Sequence, residues 1–146
     1  MEPPMTITTS EQGTLDYAIS FAEQLSAPSI ILLDGELGAG KTCFTRGLCE
    51  GLKGDPRQVS SPTFTIVQEY DVENNRRLVH IDAYRLSGEE ELESIGWDEL
   101  LEDKTAIIAI EWPSRIAKAI PDNVTTVQIS HLDLNSREII IVAPGH

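Results

Sequence analysis

Apolar positions along the chain follow two periods. Between Ser10 and Leu25, the residues Leu15, Ala18, Ile19, Ala22 and Leu25 recur at helical spacing, which predicts a helix lying on a sheet. Thr6 to Thr9, just before it, reads as a short edge strand. Ser29-Ile30-Ile31-Leu32-Leu33 is a continuous β-branched-rich run closed by Asp34-Gly35, the pattern of a strand buried on both faces. Ala106-Ile107-Ile108-Ala109-Ile110 is a second such run. A helix is predicted from about Lys41 to Gly51, followed by a loop to Ser61 in which Gly54-Asp55-Pro56 signals a turn. Thr63 to Tyr70 and Arg77 to Ala83 look like strands, and Glu73-Asn74-Asn75 between them suits a hairpin turn because Asn tolerates positive φ. Ser87 to Leu101 predicts an acidic helix or helix pair, and Ser114 to Ile120 a short helix stopped by Pro121. Val124 to His131 and Glu138 to Val142 form an expected final hairpin around Asp133-Leu134-Asn135-Ser136. Alternation of buried strands with helices makes this an α/β chain, and no repeat or linker divides residues 1–146.

Composition narrows the field. A chain of 146 residues is about one domain's worth, long enough to bury roughly 70% of its unfolded surface. With 11 Lys plus Arg against 24 Asp plus Glu, the formal charge is −13, which repels phosphate backbones and acidic membrane surfaces. Nucleic-acid binding by the chain alone is therefore not expected. The start lacks a basic segment followed by an apolar one, and no apolar run approaches membrane-spanning length, so the expected address is cytoplasmic with no membrane association. Cys43 and Cys49 fall in one predicted helix, too far apart at about 1.5 Å of rise per residue to bridge, and read as small buried hydrophobes.

Gly35-Glu36-Leu37-Gly38-Ala39-Gly40-Lys41-Thr42 matches the G-x-x-x-x-G-K-[ST] phosphate-binding loop between a strand and a helix. Glycines let backbone N–H groups converge on phosphates, and the following helix points its positive end at the anion. Lys41 would reach the β- and γ-phosphates, and Thr42 would offer its hydroxyl to Mg²⁺. Such a loop also needs an acid at the end of a neighbouring strand. Asp82 closes Leu78-Val79-His80-Ile81-Asp82, and Glu111 closes Ile107-Ile108-Ala109-Ile110-Glu111. Asp is the shorter, stiffer metal-side acid, so Asp82 is assigned to Mg²⁺ and Glu111 to the attacking water, although the residue pattern leaves the two roles exchangeable. Thr63 in Ser60-Ser61-Pro62-Thr63-Phe64 is either the candidate sensor of γ-phosphate and metal or a strand-opening Thr behind a turn Pro, which spacing alone does not separate. Trp112 either faces the nucleotide or is a half-buried core residue. His80 reads as a satisfied structural histidine, and Glu89-Glu90-Glu91 with Glu93 as a solvated face.

Together, the loop, Ser61-Pro62-Thr63-Phe64, His80-x-Asp82-x-Tyr84-Arg85-Leu86, Glu91-Leu92-Glu93-x-x-Gly96 and Glu111-Trp112-Pro113 resemble the TsaE (YjeE) family of small bacterial ATPases over about Thr6 to Val142. The resemblance implies a P-loop NTPase-like three-layer fold with a mixed sheet. It implies ATP hydrolysis in forming threonylcarbamoyladenosine beside the tRNA anticodon, with TsaB and TsaD as partners and tRNA reached only through them. Carried over by position, Lys41 and Thr42 become phosphate and magnesium ligands, Thr63 a switch-like magnesium contact, Asp82 the Walker B acid, and Glu111 with Trp112 essential near the nucleotide. Glu36, Leu37, Gly38, Ala39, Gly40 and Cys43 complete the nucleotide-contacting set. Two positions depart from the family: Cys43 stands where a second Thr is common, and Ala83 where Leu is common.

A net charge of −13 fits a subunit that cycles ATP while a partner holds the RNA, and turnover is expected to be slow alone and faster with that partner. Arg85 is either an internal cation or a surface arginine. A small-molecule kinase is one alternative, but it needs a lid with several arginines, and only Arg76-Arg77 are adjacent, in an expected hairpin turn. A non-hydrolysing binding module, in which ATP fixes the Thr63 loop for a partner, is another. The absence of an Asn-Lys-x-Asp guanine-reading sequence favours adenine by omission.

Overall fold

A computed structural model describes residues 5–36, 39–59 and 66–144. Strand β1 (Met5–Thr8) leads into helix α1 (Glu11–Glu23), whose N-cap Ser10 accepts a hydrogen bond from the Gly13 N–H at 2.9 Å. The next strand, β2 (Ser29–Gly35), feeds α2 (Lys41–Gly51). A hairpin of β3 (Val67–Val72) and β4 (Arg76–Asp82) turns through Asn74 and Asn75, at φ of 68° and 56°. The expected Asn turn is thus present, but Arg76 and Arg77 belong to β4 and not to the turn. The expected strand from Thr63 begins only at Val67 among the described residues, and Ser60 to Thr65, including Thr63, lie outside them.

The acidic stretch after β4 is a 3-10 segment over Glu89–Ile95 and the short α3 (Trp97–Glu102). Gly96 between them, at φ 74°, adopts a left-handed conformation that ends the first and starts the second. Strand β5 (Ala106–Glu111) follows. The helix expected near Ser114 is a 3-10 segment over Pro113–Ala119 with a break at Ile116. The closing hairpin is β6 (Thr125–His131) and β7 (Arg137–Val142).

All seven strands form one sheet in the order β1-β7-β6-β2-β5-β4-β3. The inner four (β6, β2, β5 and β4) run parallel, and the outer strands are antiparallel, so the sheet is mixed. β5 is buried at every position, as its apolar run requires. β2 fully buries Ile31 and Leu33 on one face, while Ile30 and Leu32 pack on the other with part of their surface still accessible.

Each sheet face carries its own core. On one, Ile31, Leu33, Ile107 and Val127 meet Ala18 and Ala22 of α1 and Phe44 and Leu48 of α2. On the other, Val79, Ile81, Ile108 and Ile110 are covered by Leu86, Leu92, Trp97, Leu100 and Ile116 from the short helical segments. Burying one such side chain fully stabilises the fold by about 1.5–3 kcal/mol. α1 and α2 pack so closely that a Cβ on Gly47 would lie 2.4 Å from Ala18 Cβ, and one on Gly51 2.6 Å from Ala22 Cβ. Residues four apart on each helix thus form a seam of small side chains that fixes α2 on the sheet. Among the described residues, no helix is long and apolar enough to cross a membrane.

Candidate functional site

Parallel pairing brings the carboxyl ends of three strands to one edge. Leu33 pairs with Glu111, and Glu111 with Asp82, so Gly35, Glu111 and Asp82 end neighbouring strands side by side. This edge of an open α/β sheet is where such folds bind ligands. Alternation along the strands puts His80 and Asp82 on the same face as Leu78, and Glu111 on the same face as Ala109, all toward α2.

Gly40 stands at the N-terminus of α2 with φ 111°, a conformation open to glycine, and its carbonyl accepts the Phe44 N–H at 2.9 Å. Lys41, the first helical residue, is 5% exposed. Its Nζ donates to the Gly35 carbonyl at 2.8 Å and lies 3.7 Å from the centroid of the Trp112 ring. Burial lowers the Lys41 pKa, while Glu111, Asp82 and Asp34 oppose that shift, so an ammonium sits within the field of three carboxylates. Leu37 and Gly38 of the loop lie outside the described residues. Of the rest, Ala39 is buried, and its carbonyl accepts the Arg137 Nε–H at 3.0 Å. Glu36 is exposed and Thr42 half-buried.

Asp82 accepts the Tyr84 N–H at 3.0 Å. Burial raises its pKa, and the Glu111 charge adds to that, while the Tyr84 N–H, His80 and Lys41 pull it back. Glu111 is 6% exposed, and His80, fully buried, approaches it with Nε2 2.5 Å from Oε2. A carboxylate only accepts, so Nε2 carries the donated proton. His80 Nδ1 is then buried without a partner among the described residues. The satisfied structural histidine expected from the sequence is therefore corrected: only one ring nitrogen is satisfied, and by the acid assigned to water.

Trp112 is half-buried in a left-handed conformation at φ 56° and ψ 51°. One face meets Lys41, and its ring centroid lies 5.2 Å from that of Tyr84, over which the Arg115 guanidinium sits at 5.1 Å. Trp112 is thus half-buried, as one of its two alternatives had it, with its ring against the Lys41 ammonium. Cys49 is buried as expected. Cys43 is not: it is half-exposed, its thiol faces the Glu11 carbonyl at 3.6 Å, and it lines a 290 Å³ cavity with Ser10, Gly40, Asn135 and Arg137. A second, open cleft of 440 Å³ adjoins Gly35, Glu36 and Trp112. The first lies at the start of α2, the second at the end of β2 and beside β6. Arg85 is exposed.

Sequence reasoning assigned no site role to His80, Tyr84 or Arg137. The two-residue step from His80 to Asp82 on a strand was a legible signal, because it places both on one face. Arg137 gave none, since its contact with Ala39 spans 98 positions.

A strand feeding a helix at the carboxyl edge of a parallel sheet core, flanked by acids on two adjacent strands, defines an α/β protein with a mixed seven-strand sheet. Residues 8–139 match the family model described as "Threonylcarbamoyl adenosine biosynthesis protein TsaE", and the chain belongs to the TsaE family. It is 35% identical over 135 residues to the tRNA threonylcarbamoyladenosine biosynthesis protein TsaE of Treponema pallidum (strain Nichols), covering 92% of this chain and 97% of that one. It is 39% identical over 117 residues to the protein of the same name in Bacillus subtilis (strain 168), covering 80% and 71%. Its fold is similar to the crystal structure of Bacillus subtilus YdiB, with a TM-score of 0.78 and 28% identity over 99% of this chain and 87% of that one.

Proposed function

We propose that this protein binds and hydrolyses ATP with Mg²⁺ as an accessory protein in forming threonylcarbamoyladenosine in tRNA, acting on a TsaB–TsaD pair. The observation that carries this reading is the convergence of Lys41, Asp82 and Glu111 on the start of α2. Family membership supports the pathway, because the relatives are named for it.

The residues fit a divalent cation. Asp82 and Glu111 end adjacent strands, the Glu111 charge adds to the cost of ionising the half-buried Asp82, and a cation there offsets that cost. Among the described residues, no three His, Cys, Asp or Glu side chains form a ligand cluster. Thr42, Asp82 and Thr63 are the residues assigned to hold it, and when bound Mg²⁺ would neutralise phosphate charge.

In this reading the Lys41 ammonium leaves the Gly35 carbonyl for the β- and γ-phosphate oxygens, and the backbone N–H groups of the loop and of the α2 terminus take the rest of the anion. Thr63, which lies outside the described residues, is the residue assigned to sense the γ-phosphate and metal. Glu111 holds and deprotonates the attacking water, its carboxylate fixed on a strand end. Trp112 shields the ammonium from solvent on one side. The 290 Å³ cavity beside Gly40 and Cys43 offers room next to the loop for the nucleoside end.

Phosphate release from ATP, measured with no added acceptor and then with a copurified TsaB–TsaD pair, tests the proposal. The expected result is slow release alone and faster release with the pair. ADP formed only on addition of a small-molecule acceptor, with the γ-phosphoryl group on that acceptor and no inorganic phosphate released, would identify a kinase instead. Arg76 and Arg77 give that reading no help: they open β4, and Arg77 is held by Asp103 and Glu69 at the opposite end of the strand from Asp82. A Glu111→Ala variant that keeps full function with the pair would identify a non-hydrolysing module.

A further inference from the structure

We propose that His80 is a positioning residue for Glu111: its Nε2–H holds one carboxylate oxygen so that the other is presented to water. This inference rests on the hydrolase reading above. Three observations on one strand pair carry it. His80 has no exposed surface, and its Nε2 is 2.5 Å from Glu111 Oε2. Its Nδ1 is buried without a partner among the described residues, so burial of the ring is not repaid by a full set of hydrogen bonds. On its face Leu78, Ile107 and Ala109 are apolar, and the Oε1 of Gln68, its cross-strand partner on β3, is taken by the Tyr70 hydroxyl, so Glu111 is the one side chain the ring bonds among the described residues. A ring that leaves one nitrogen unpaired while binding a single carboxylate is placed for that carboxylate.

The geometry explains the choice of residue. Ala109 pairs in register with His80, and its small side chain leaves room for the imidazole beside β5. His80 is two residues before Asp82, and Ala109 two before Glu111, so the ring stands one step beneath both acids on the α2 side of the sheet. A glutamate has three side-chain torsions, and a donor at one oxygen selects among its rotamers. The Glu111 side chain keeps 8% exposure, so the carboxylate is pinned from within and still meets solvent.

The test uses the full chain with and without the partner pair. His80→Phe retains a planar ring of similar size and removes the donor, while His80→Gln restores an N–H near the Nε2 position. Nucleotide affinity is read from Trp112 fluorescence, folding from thermal melting, and turnover from single-turnover phosphate release with protein in excess. The expected result for His80→Phe is a 10- to 100-fold fall in turnover, roughly the effect of misplacing a catalytic group by about 1 Å, with affinity within about twofold. His80→Gln recovers most of the rate. In a Glu111→Gln background, His80→Phe changes turnover by less than about twofold, because both act through one group. Wild-type-like turnover in His80→Phe, an equal further loss in the Glu111→Gln background, or a parallel loss of affinity overturns the positioning role.

A second readout does not depend on either His80 variant folding. Nitrogen-15 spectra of the wild-type imidazole should show the Nε2–H tautomer with a slowly exchanging, downfield proton that moves upfield in Glu111→Gln, and an Nδ1–H tautomer overturns the proposal. Absence of any turnover in the wild type, alone or with the pair, overturns the hydrolase reading itself. Turnover in the wild type that is indifferent to His80 overturns only the positioning of Glu111 by the imidazole.

Discussion

The two ends of β4 each hold an ion-pair geometry, and the chain treats them in opposite ways. At the entry end, Arg77 pairs with Asp103 at 2.6 Å and with Glu69, all three side chains keeping between 24% and 52% exposure. At the exit end, His80 and Glu111 meet at 0% and 8% exposure, with Lys41 buried nearby. The entry-end pair is screened by water and salt, and pairs of this kind contribute little to stability. The exit-end groups sit where burial penalises charge, and their arrangement is costly unless it serves a ligand. The same strand thus ends in decoration on one side and in chemistry on the other, and only burial and partners tell them apart.

Disrupting the exit end should have the largest effects. Glu111→Gln, which keeps an acceptor for His80, is expected to lower ATP turnover about 10²- to 10⁴-fold, the usual range for removing a general base, with nucleotide affinity largely retained. Phosphate release and Trp112 fluorescence measured on one sample separate the two effects. Lys41→Ala should weaken ATP binding about 10²-fold, as expected for lost charge-assisted hydrogen bonds, while the melting profile stays cooperative. Titration of Trp112 fluorescence with ATP, run on the variant beside the wild type, reads the loss, since the geometry places the indole at position 41.

Disrupting the entry end should do little, which sharpens the contrast. Arg77→Met is expected to lower the melting temperature by a few degrees at most and to leave turnover unchanged, with the difference shrinking as salt rises. The smallest effect is a matter of pH. The Thr105 hydroxyl and N–H, followed by Arg77, hold the Asp103 pKa down to about 2, below its ordinary 3.8. A depressed carboxylate adds stability above its unfolded pKa and loses it as pH falls toward the folded value. Melting curves of Asp103→Asn and the wild type should therefore differ slightly at pH 7 and converge between about pH 4 and pH 2.

Where sequence alone was informative, one physical signal dominated. The runs at Ile30 to Leu33 and Ile107 to Ile110 appear as adjacent parallel strands because a doubly buried strand needs apolar residues at every step. The turn at Asn74 and Asn75 appears because few other residues accept positive φ. The helical segments over the second sheet face were less legible. Glu89–Ile95 and Pro113–Ala119 are 3-10 turns pinned by Leu92 and Ile116, and a few apolar anchors without a sustained period do not distinguish such turns from a helix. The placement of Asp82 and Glu111 at the ends of adjacent strands was legible because strand ends are local patterns. The bond between His80 and Glu111 was not, since it joins residues 31 positions apart and depends on the β4–β5 register. The fate of Cys43 likewise depended on what α1 leaves open beside it.

The seam between α1 and α2 makes position 47 a lever on the ligand. Gly47 lies about 9 Å along the axis from Lys41, at 1.5 Å per residue, and any larger side chain there must lift the rod away from Ala18. Because that rod also carries the ammonium, on the hydrolase reading a lesion deep in an apolar joint would surface as a defect in gripping triphosphate, with every group proposed to touch the nucleotide chemically intact.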